Sequence, residues 1–256
     1  MKVFVCERGY EGIMSAIYDA WHEAVHIGHS NIRIERRGEF QQNLFDEYID
    51  TKSDSVKAEK VSLAIRTKIS PLAYYWTFIA SLDETGDSPD IIYRFLILGF
   101  KAGGKVTDML SEKAVMDIME LKRRIENEKH HFVEFSRFSM IHSGRENVYV
   151  AHIEPHYNVV ALVARHFDDR MPSENYIIID DKRRIAAVHG RDEPFYVKEL
   201  TLREYDELSV TESFVDSYTD MWKTFFEAIT IKQRKNPKCQ NNLFPIWLRK
   251  HATEFN

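Results

Sequence analysis

The strongest constraint on the fold is a change in hydrophobic periodicity near residue 131. Residues 107–128 carry an apolar stripe whose members follow one another at intervals of three or four: Leu110, Ala114, Ile118, Leu121 and Ile125. After residue 131, apolar and polar residues alternate in short segments between turn-forming residues, which is typical of strands. The pattern therefore predicts an α+β fold, with a helix-rich N-terminal half and an antiparallel sheet with flanking helices in the C-terminal half.

The predicted elements divide between these two halves. In the first, a strand at 2–6 is followed by a loop or short strand within 28–40 and by helices over 10–25, 53–69, 71–82, 88–102 and 107–128. In the second, we predict a hairpin of 131–141 with 147–155, a helix at 158–167, two strands around the turn at 180–182, a strand at 194–200 and a helix at 213–231. We predict an N-terminal strand-plus-helical region at 1–85 and a core domain at 86–256, or one compact unit that contains both.

Composition excludes several classes of protein. The two cysteines, Cys6 and Cys239, stand at opposite ends of the chain, which argues against a thiolate zinc site or an iron–sulfur cluster and fits a reducing cytoplasm. The most apolar later stretch, 89–104, contains Arg94 and is too short to span a bilayer. Walker, GxGxxG and GxSxG motifs are absent. We therefore predict a cytoplasmic protein with no membrane partner and no cofactor.

Histidines concentrate in the second half of the chain. Seven of the eleven lie between residues 130 and 189, and two of them frame the segment HIEPH at 152–156. The segment fails the zincin pattern because its glutamate is two positions after the first histidine and Pro155 interrupts a helix. It also fails the zinc-deaminase pattern because the downstream PKC supplies one thiol and no second. We therefore predict no metal site.

Without a metal, two interpretations of HIEPH remain. Glu154 stands at a predicted strand end, where a carboxylate facing a cleft serves as an acid–base group, with His156 or His166 as its partner. In the alternative interpretation these residues are the polar end of a strand and its loop. The sequence leaves both open.

A basic segment lies near the C-terminus. Between Trp222 and His251 there are seven lysines and arginines and one acid, a formal charge of +6 in a chain of net charge −5. Such charge suits nucleic-acid phosphates, whereas we interpret the interleaved aromatic residues as core. The turn DDKRR adds cations that could clamp a phosphate, with Arg183 and Arg184 on opposite faces of a strand. The candidate phosphate ligands are Lys182, Arg183, Arg184, Lys235, Lys238, Arg249 and Lys250.

One short and two long segments together resemble a bacterial family of DNA metabolism or DNA repair proteins built on a conserved domain of unknown function. They are FSRF at 135–138, IEPHYNVVALVARHFDDRMPSENYIIIDDKRRIAAVH at 153–189, and WKTFFEAITIKQRKNPKCQNNLFPIWLRKHATEF at 222–255. Members of that family are typically encoded beside a radical-SAM protein related to spore photoproduct lyase, and the domain is fused to some uracil-DNA glycosylases. The resemblance adds Arg137 and Arg170, which match its pattern, to the candidate DNA-binding residues.

The resemblance implies DNA and a radical-SAM protein as partners. Our first hypothesis is a DNA-binding accessory factor that acts with a radical-SAM enzyme processing lesions or modifying bases. The second is an enzyme acting on nucleic acid, glycosylase-like or nuclease-like, that uses Glu154 and a histidine. The third is a protein-interaction module that docks the radical-SAM partner, with the helices at 71–82 and 214–231 supplying its face.

Overall fold

The structure, a computed structural model, describes residues 1–38, 43–143, 146–209, 217–234 and 236–252. It divides into two compact units, residues 1–126 and 127–256, and the division falls within a long helix. Helices and strands both occur in each unit, so the α+β class is confirmed.

The first unit contains a parallel sheet that the sequence pattern predicted only in part. Strand β1 (Lys2–Cys6) lies between β2 (Ile32–Arg36) and β3 (Glu47–Asp50), and both pairings are parallel. Helix α1 (Gly9–Ile27) connects β1 to β2, which forms a βαβ unit. Residues 28–40 thus contain a short strand, which was one of the two predicted alternatives. Its pairing with β1 in a parallel sheet was not predicted.

The helices of the first unit follow the predicted order. They are α2 (Ser55–Ala64), which continues as a π-helical turn (Ile65–Ile69), α3 (Pro71–Ser81) and α4 (Ser88–Ala102). Asp54 caps α2, because its side chain accepts hydrogen bonds from the backbone N–H groups of Val56 and Lys57. Gly103 ends α4 in a backbone conformation with φ 64°, which favours glycine.

The predicted boundaries of the long helix were wrong at both ends. Residues 103–108 form a 3-10 helix, and α5 runs from Lys113 to Phe135. The segment HFVEF, predicted as a strand, is the last part of this helix. Phe132 follows Ile125 by seven residues and is buried, so it extends the helical stripe by two turns. The apolar residues Phe132, Val133 and Phe135 fit a strand pattern although the helical spacing continues through them.

The second unit is built on a five-stranded sheet in the order β4-β5-β6-β7-β8. Its strands are β4 (Ser139–Ser143), β5 (Glu146–Ile153), β6 (Asn175–Asp180), β7 (Ile185–His189) and β8 (Tyr196–Glu199). The β4–β5, β6–β7 and β7–β8 pairs are antiparallel, as predicted. The β5–β6 pair is parallel, so the sheet is mixed.

The parallel pair follows from the connection between its strands. Helix α6 (Val160–Arg170) separates β5 from β6 and returns the chain to the same end of the sheet. A helical crossover of this kind joins parallel strands, whereas a tight turn joins antiparallel ones. A helix was predicted here, but the parallel strand pair that it permits was not.

Helices cover the two faces of this sheet. On one face Val150, Ile179 and Ala186 form a buried cluster, against which Tyr205 and Leu208 of α7 (Leu202–Ser209) pack. On the other, α6 packs against β6 and β7 and buries its own apolar stripe of Val160, Val163, Ala164 and Phe167. The remaining helices are α8 (Ser217–Ile229) and α9 (Pro237–Leu243), and a 3-10 helix follows at Ile246–His251. Within the described residues, no helix combines the length and apolarity needed to cross a membrane.

Candidate functional site

Two carboxylates meet where the parallel strands of the second unit end. Ile153, the last residue of β5, pairs with Asp180, the last residue of β6. Glu154 and Asp181 come directly after these strand ends, so the parallel register places both at the same edge of the sheet. Ligand sites in sheets with parallel strands commonly form at this edge. An antiparallel β5–β6 pair would have put the two residues at opposite ends.

A buried histidine holds Asp181. His152 Nδ1 lies 2.9 Å from Asp181 Oδ1, and both side chains are more than nine-tenths buried. Because an ionised carboxylate only accepts, the imidazole donates Nδ1–H to it. The first histidine of HIEPH thus orients the aspartate that follows β6, 29 residues away in the chain.

The C-terminal segment completes the group. His251 Nε2 lies 3.7 Å from Asp181 Oδ2 and 4.0 Å from Glu154 Oε1. Lys250, next to it in the chain, forms an ion pair with Glu154. The ring of His251 is stacked near that of His152, with centroids 6.2 Å apart. We call His152, Glu154, Asp181 and His251 the strand-end cluster.

The donor set of the strand-end cluster combines oxygen and nitrogen. Glu154, Asp181 and His251 each offer one ligand atom, and these three atoms lie within 4.8 Å of one another. Carboxylates and an imidazole can move protons near neutral pH or hold a cation. Neither Asp181 nor His251 was a predicted site residue. The signal available in the sequence was their position, directly after a strand and within the C-terminal basic segment.

His156 and His166, the predicted catalytic partners of Glu154, have other contacts. His156 Nδ1 lies 2.9 Å from Glu128 Oε1, and its ring lies edge-on to Trp247. His166 lies on α6 with its ring against Phe167. The histidine brought to Glu154 is His251 instead, because the C-terminal segment packs at the strand ends.

Glu128 fixes the loop that follows Glu154. This carboxylate is buried and accepts from the backbone N–H groups of His156 at 2.8 Å and Tyr157 at 2.9 Å, in addition to the His156 ring. A buried carboxylate with three donors is satisfied as an anion. Sequence reasoning missed Glu128 because it lies among the many charged residues of α5.

Arg183 makes hydrogen bonds to other groups of the chain. Its guanidinium donates to the backbone carbonyls of Pro155 and His156 and to Asp180 Oδ2, which is 2.9 Å away. Burial raises the pKa of the Asp180 carboxyl, and the charge of Arg183 opposes that shift. Residues 181–184 form a turn, so the expectation that Arg183 and Arg184 occupy opposite strand faces was wrong. The chain needs four residues to reverse direction before β7 begins.

The other predicted phosphate ligands differ in their contacts and in their exposure. Arg249 donates to the Phe244 carbonyl and to Asn241, which ties the C-terminal turn together. Arg137 is half-buried, with its guanidinium 5.9 Å from the centre of the Trp222 ring. Lys235 lies outside the described residues. Exposed side chains are those of Arg170, Lys182, Arg184, Lys238 and Lys250.

Several aromatic residues of the basic segment are exposed, which overturns their interpretation as core. The exposed fractions are 41% for Trp222, 53% for Phe225 and 40% for Trp247. Phe244 is buried, as expected, and stacks on Phe135. Helix α8 also exposes Met221 and Ile229. The amphipathic spacing predicted the helix correctly but did not determine whether its apolar side is covered.

A comparison with family models shows the family to which this chain belongs. Residues 87–254 match the model of DUF4130, a domain of unknown function. The chain belongs to the DUF4130 family. The match contains the whole strand-end cluster and the basic segment, and it starts before α4, within the first compact unit. No curated protein was found to match the chain.

The DUF4130 match supports the part of the resemblance that concerns a domain of unknown function. It begins one residue after the predicted start of the core domain, whereas the compact units divide at 126 and 127. The DUF4130 segment therefore includes α4 and α5 in addition to the five-stranded sheet. Its boundary as a folding unit stays a prediction.

Proposed function

We propose that this DUF4130 protein binds DNA and works in DNA metabolism or repair as an accessory factor. The observation that carries the proposal is the exposure of Trp222, Phe225 and Trp247 within a segment whose formal charge is +6. The resemblance to DNA metabolism proteins points in the same direction.

The combination suits bases that are not stacked in a duplex. Cations bind the phosphate backbone and release its counterions, which makes the affinity fall with salt. Exposed aromatic rings stack on unpaired bases, and each stack contributes about 1–3 kcal/mol. We therefore expect micromolar binding that prefers single-stranded DNA, or duplex with a displaced base, over intact duplex.

The stacking role has a direct test. In the double variant Trp222→Ala/Phe225→Ala, the affinity for a labelled single-stranded oligonucleotide should fall about 10-fold or more, measured by fluorescence anisotropy. The salt dependence should change little, because the phosphate ligands remain. Tyr196→Ala, which removes a 57% exposed aromatic residue from β8, is the matched control and should bind as the parent does. Equal affinity in the double variant and the control would contradict base stacking.

We also propose that the accessory role involves a radical-SAM enzyme as partner, which the resemblance implies. The apolar side of α8, with Met221, Phe225 and Ile229 exposed, supplies a surface for docking such a protein. Co-purification of the two proteins after nuclease treatment would support docking that does not depend on DNA. Loss of the partner on nuclease treatment would leave DNA as the link between them.

A second candidate function is an enzyme that acts on nucleic acid. The observation in its favour is the strand-end cluster, which places Glu154 beside Asp181 and His251. Glu154 would serve as the acid–base group at an extruded base or a phosphodiester.

This candidate predicts a product. Purified protein incubated with damaged and undamaged oligonucleotides, with and without divalent cations, should release a base or cleave a strand. Glu154→Gln should lower that rate about 100-fold or more, as expected for loss of an acid–base group. Glu199→Gln, a substitution on β8, is the control. The absence of product with every substrate would favour the binding function alone.

A further inference from the structure

We propose that the strand-end cluster binds one divalent transition-metal ion through Glu154, Asp181 and His251. The prediction of no metal site considered only residues close together in sequence. These three residues are far apart in sequence, because Glu154 follows β5, Asp181 follows β6 and His251 lies in the C-terminal segment. The inference does not depend on DNA binding, and its test measures the metal itself.

The ligand atoms are near the spacing that a metal needs. Ligands about 2.1 Å from an ion lie about 3.0–3.5 Å from one another. His251 Nε2 is 3.7 Å from Asp181 Oδ2 and 4.0 Å from Glu154 Oε1. Side-chain shifts of about 0.2–1.0 Å would bring these two pairs to that spacing, and all three ligand atoms already lie within 4.8 Å of one another. Glu154 and His251 are not fully buried, which leaves them room to move.

A second observation at the same place comes from His152. This side chain is 95% buried, and within the described part of the chain its Nε2 has no hydrogen-bond partner. His152 lines a cavity of about 10 Å³ together with Glu154 and His251. Buried polar atoms are rarely left without a partner, and a cavity of this size holds about one water molecule. A water bound to the metal would provide the donor that His152 Nε2 needs.

His152 also has the role that supports a metal ligand. Its Nδ1–H donates to Asp181 Oδ1, which leaves Asp181 Oδ2 directed towards His251. Such outer hydrogen bonds orient ligating groups and change metal affinity by about 10–100-fold. The buried His152–Asp181 pair therefore pre-organises one ligand before an ion binds.

Lys250 is a cation that competes with a metal ion for Glu154. It neutralises Glu154 in the structure, and its side chain is 61% exposed, so it can turn to solvent when an ion arrives. The mixed carboxylate and imidazole set favours Zn²⁺ or Mn²⁺ over Mg²⁺, which prefers oxygen ligands. Three protein ligands leave further positions of the ion open to water.

The test is a calorimetric titration of the full chain with Zn²⁺. All proteins carry Cys239→Ser, which removes the exposed thiol as an adventitious ligand. The parent should show one saturable site, and Asp181→Asn or His251→Gln should weaken it about 100-fold or more, since each removes a ligand. His130→Gln is the matched control, because His130 pairs with Glu134 at 3.0 Å on α5 and lies outside the cluster. Mg²⁺ should bind weakly.

Lys250→Gln separates the proposal from a loss of folding. Removing the competing charge should strengthen Zn²⁺ binding several-fold, whereas general destabilisation would weaken it. Thermal unfolding of each variant verifies that it is folded. No saturable Zn²⁺ site in the parent, or a site that persists unchanged in both ligand variants, would overturn the proposal.

Discussion

The double variant Arg234→Glu/Lys238→Glu should bind single-stranded DNA about 100-fold more weakly than the parent chain. Both side chains are exposed in the basic segment, one in the 3-10 turn that precedes α9 and the other on α9. Each reversal removes a cation of the basic segment and adds an anion that repels phosphate. The slope of log affinity against log salt should therefore become shallower by about 1.4, since each phosphate contact to single-stranded DNA contributes about 0.7. Fluorescence anisotropy at several salt concentrations measures both quantities.

The control for this prediction carries the same change in charge elsewhere. Lys101→Glu/Lys105→Glu alters two exposed lysines of the first unit and lowers the net charge by the same amount. It should bind DNA nearly as the parent does, because binding depends on where the cations lie. Equal weakening in the two double variants would show a non-specific effect of net charge. Arg249 is left unchanged, since it holds the turn at Phe244 and its loss would confound folding with binding.

Glu128→Ala should lower the free energy of unfolding by about 2–3 kcal/mol. The substitution leaves the backbone N–H groups of His156 and Tyr157 without the buried carboxylate that accepts from them. Hydrogen bonds to a charged group contribute more than neutral ones. Urea denaturation followed by circular dichroism measures the loss, and Glu128→Gln should fall between parent and alanine variant.

Glu134→Ala provides the comparison on the same helix. Glu134 is 45% exposed and pairs at the surface with His130, which is 64% exposed, so its removal should change stability by no more than about 0.5 kcal/mol. If the two alanine variants were equally stable, Glu128 would not fix the loop after Glu154. Movement of that loop should also weaken the strand-end cluster, because Glu154, a member of the cluster, directly precedes Pro155.

The sequence predicted the local elements well where spacing decides them. The helix at 158–167, the turn between β6 and β7 and the Pro71 start of α3 all follow from short-range rules of periodicity, turn chemistry and capping. It failed at the end of α5, where Phe132, Val133 and Phe135 fit both a strand and a helix. It also failed for Trp222 and Phe225, because an amphipathic stripe does not reveal whether another element covers it.

For the candidate site, too, some features follow from the sequence and others only from the folded structure. Local spacing was sufficient to predict the α+β class, the basic C-terminal segment and the position of Glu154 at a strand end. The parallel pairing of β5 with β6, which brings Glu154 to Asp181 and His251, is seen only in the folded chain. The tertiary structure also assigned Arg183 and Arg249 to internal contacts. Chain spacing governs hydrogen bonds within helices and turns, whereas strand pairing joins residues far apart in sequence. The predicted helix between β5 and β6 permits a parallel pair, but it does not specify which strands pair or in which register.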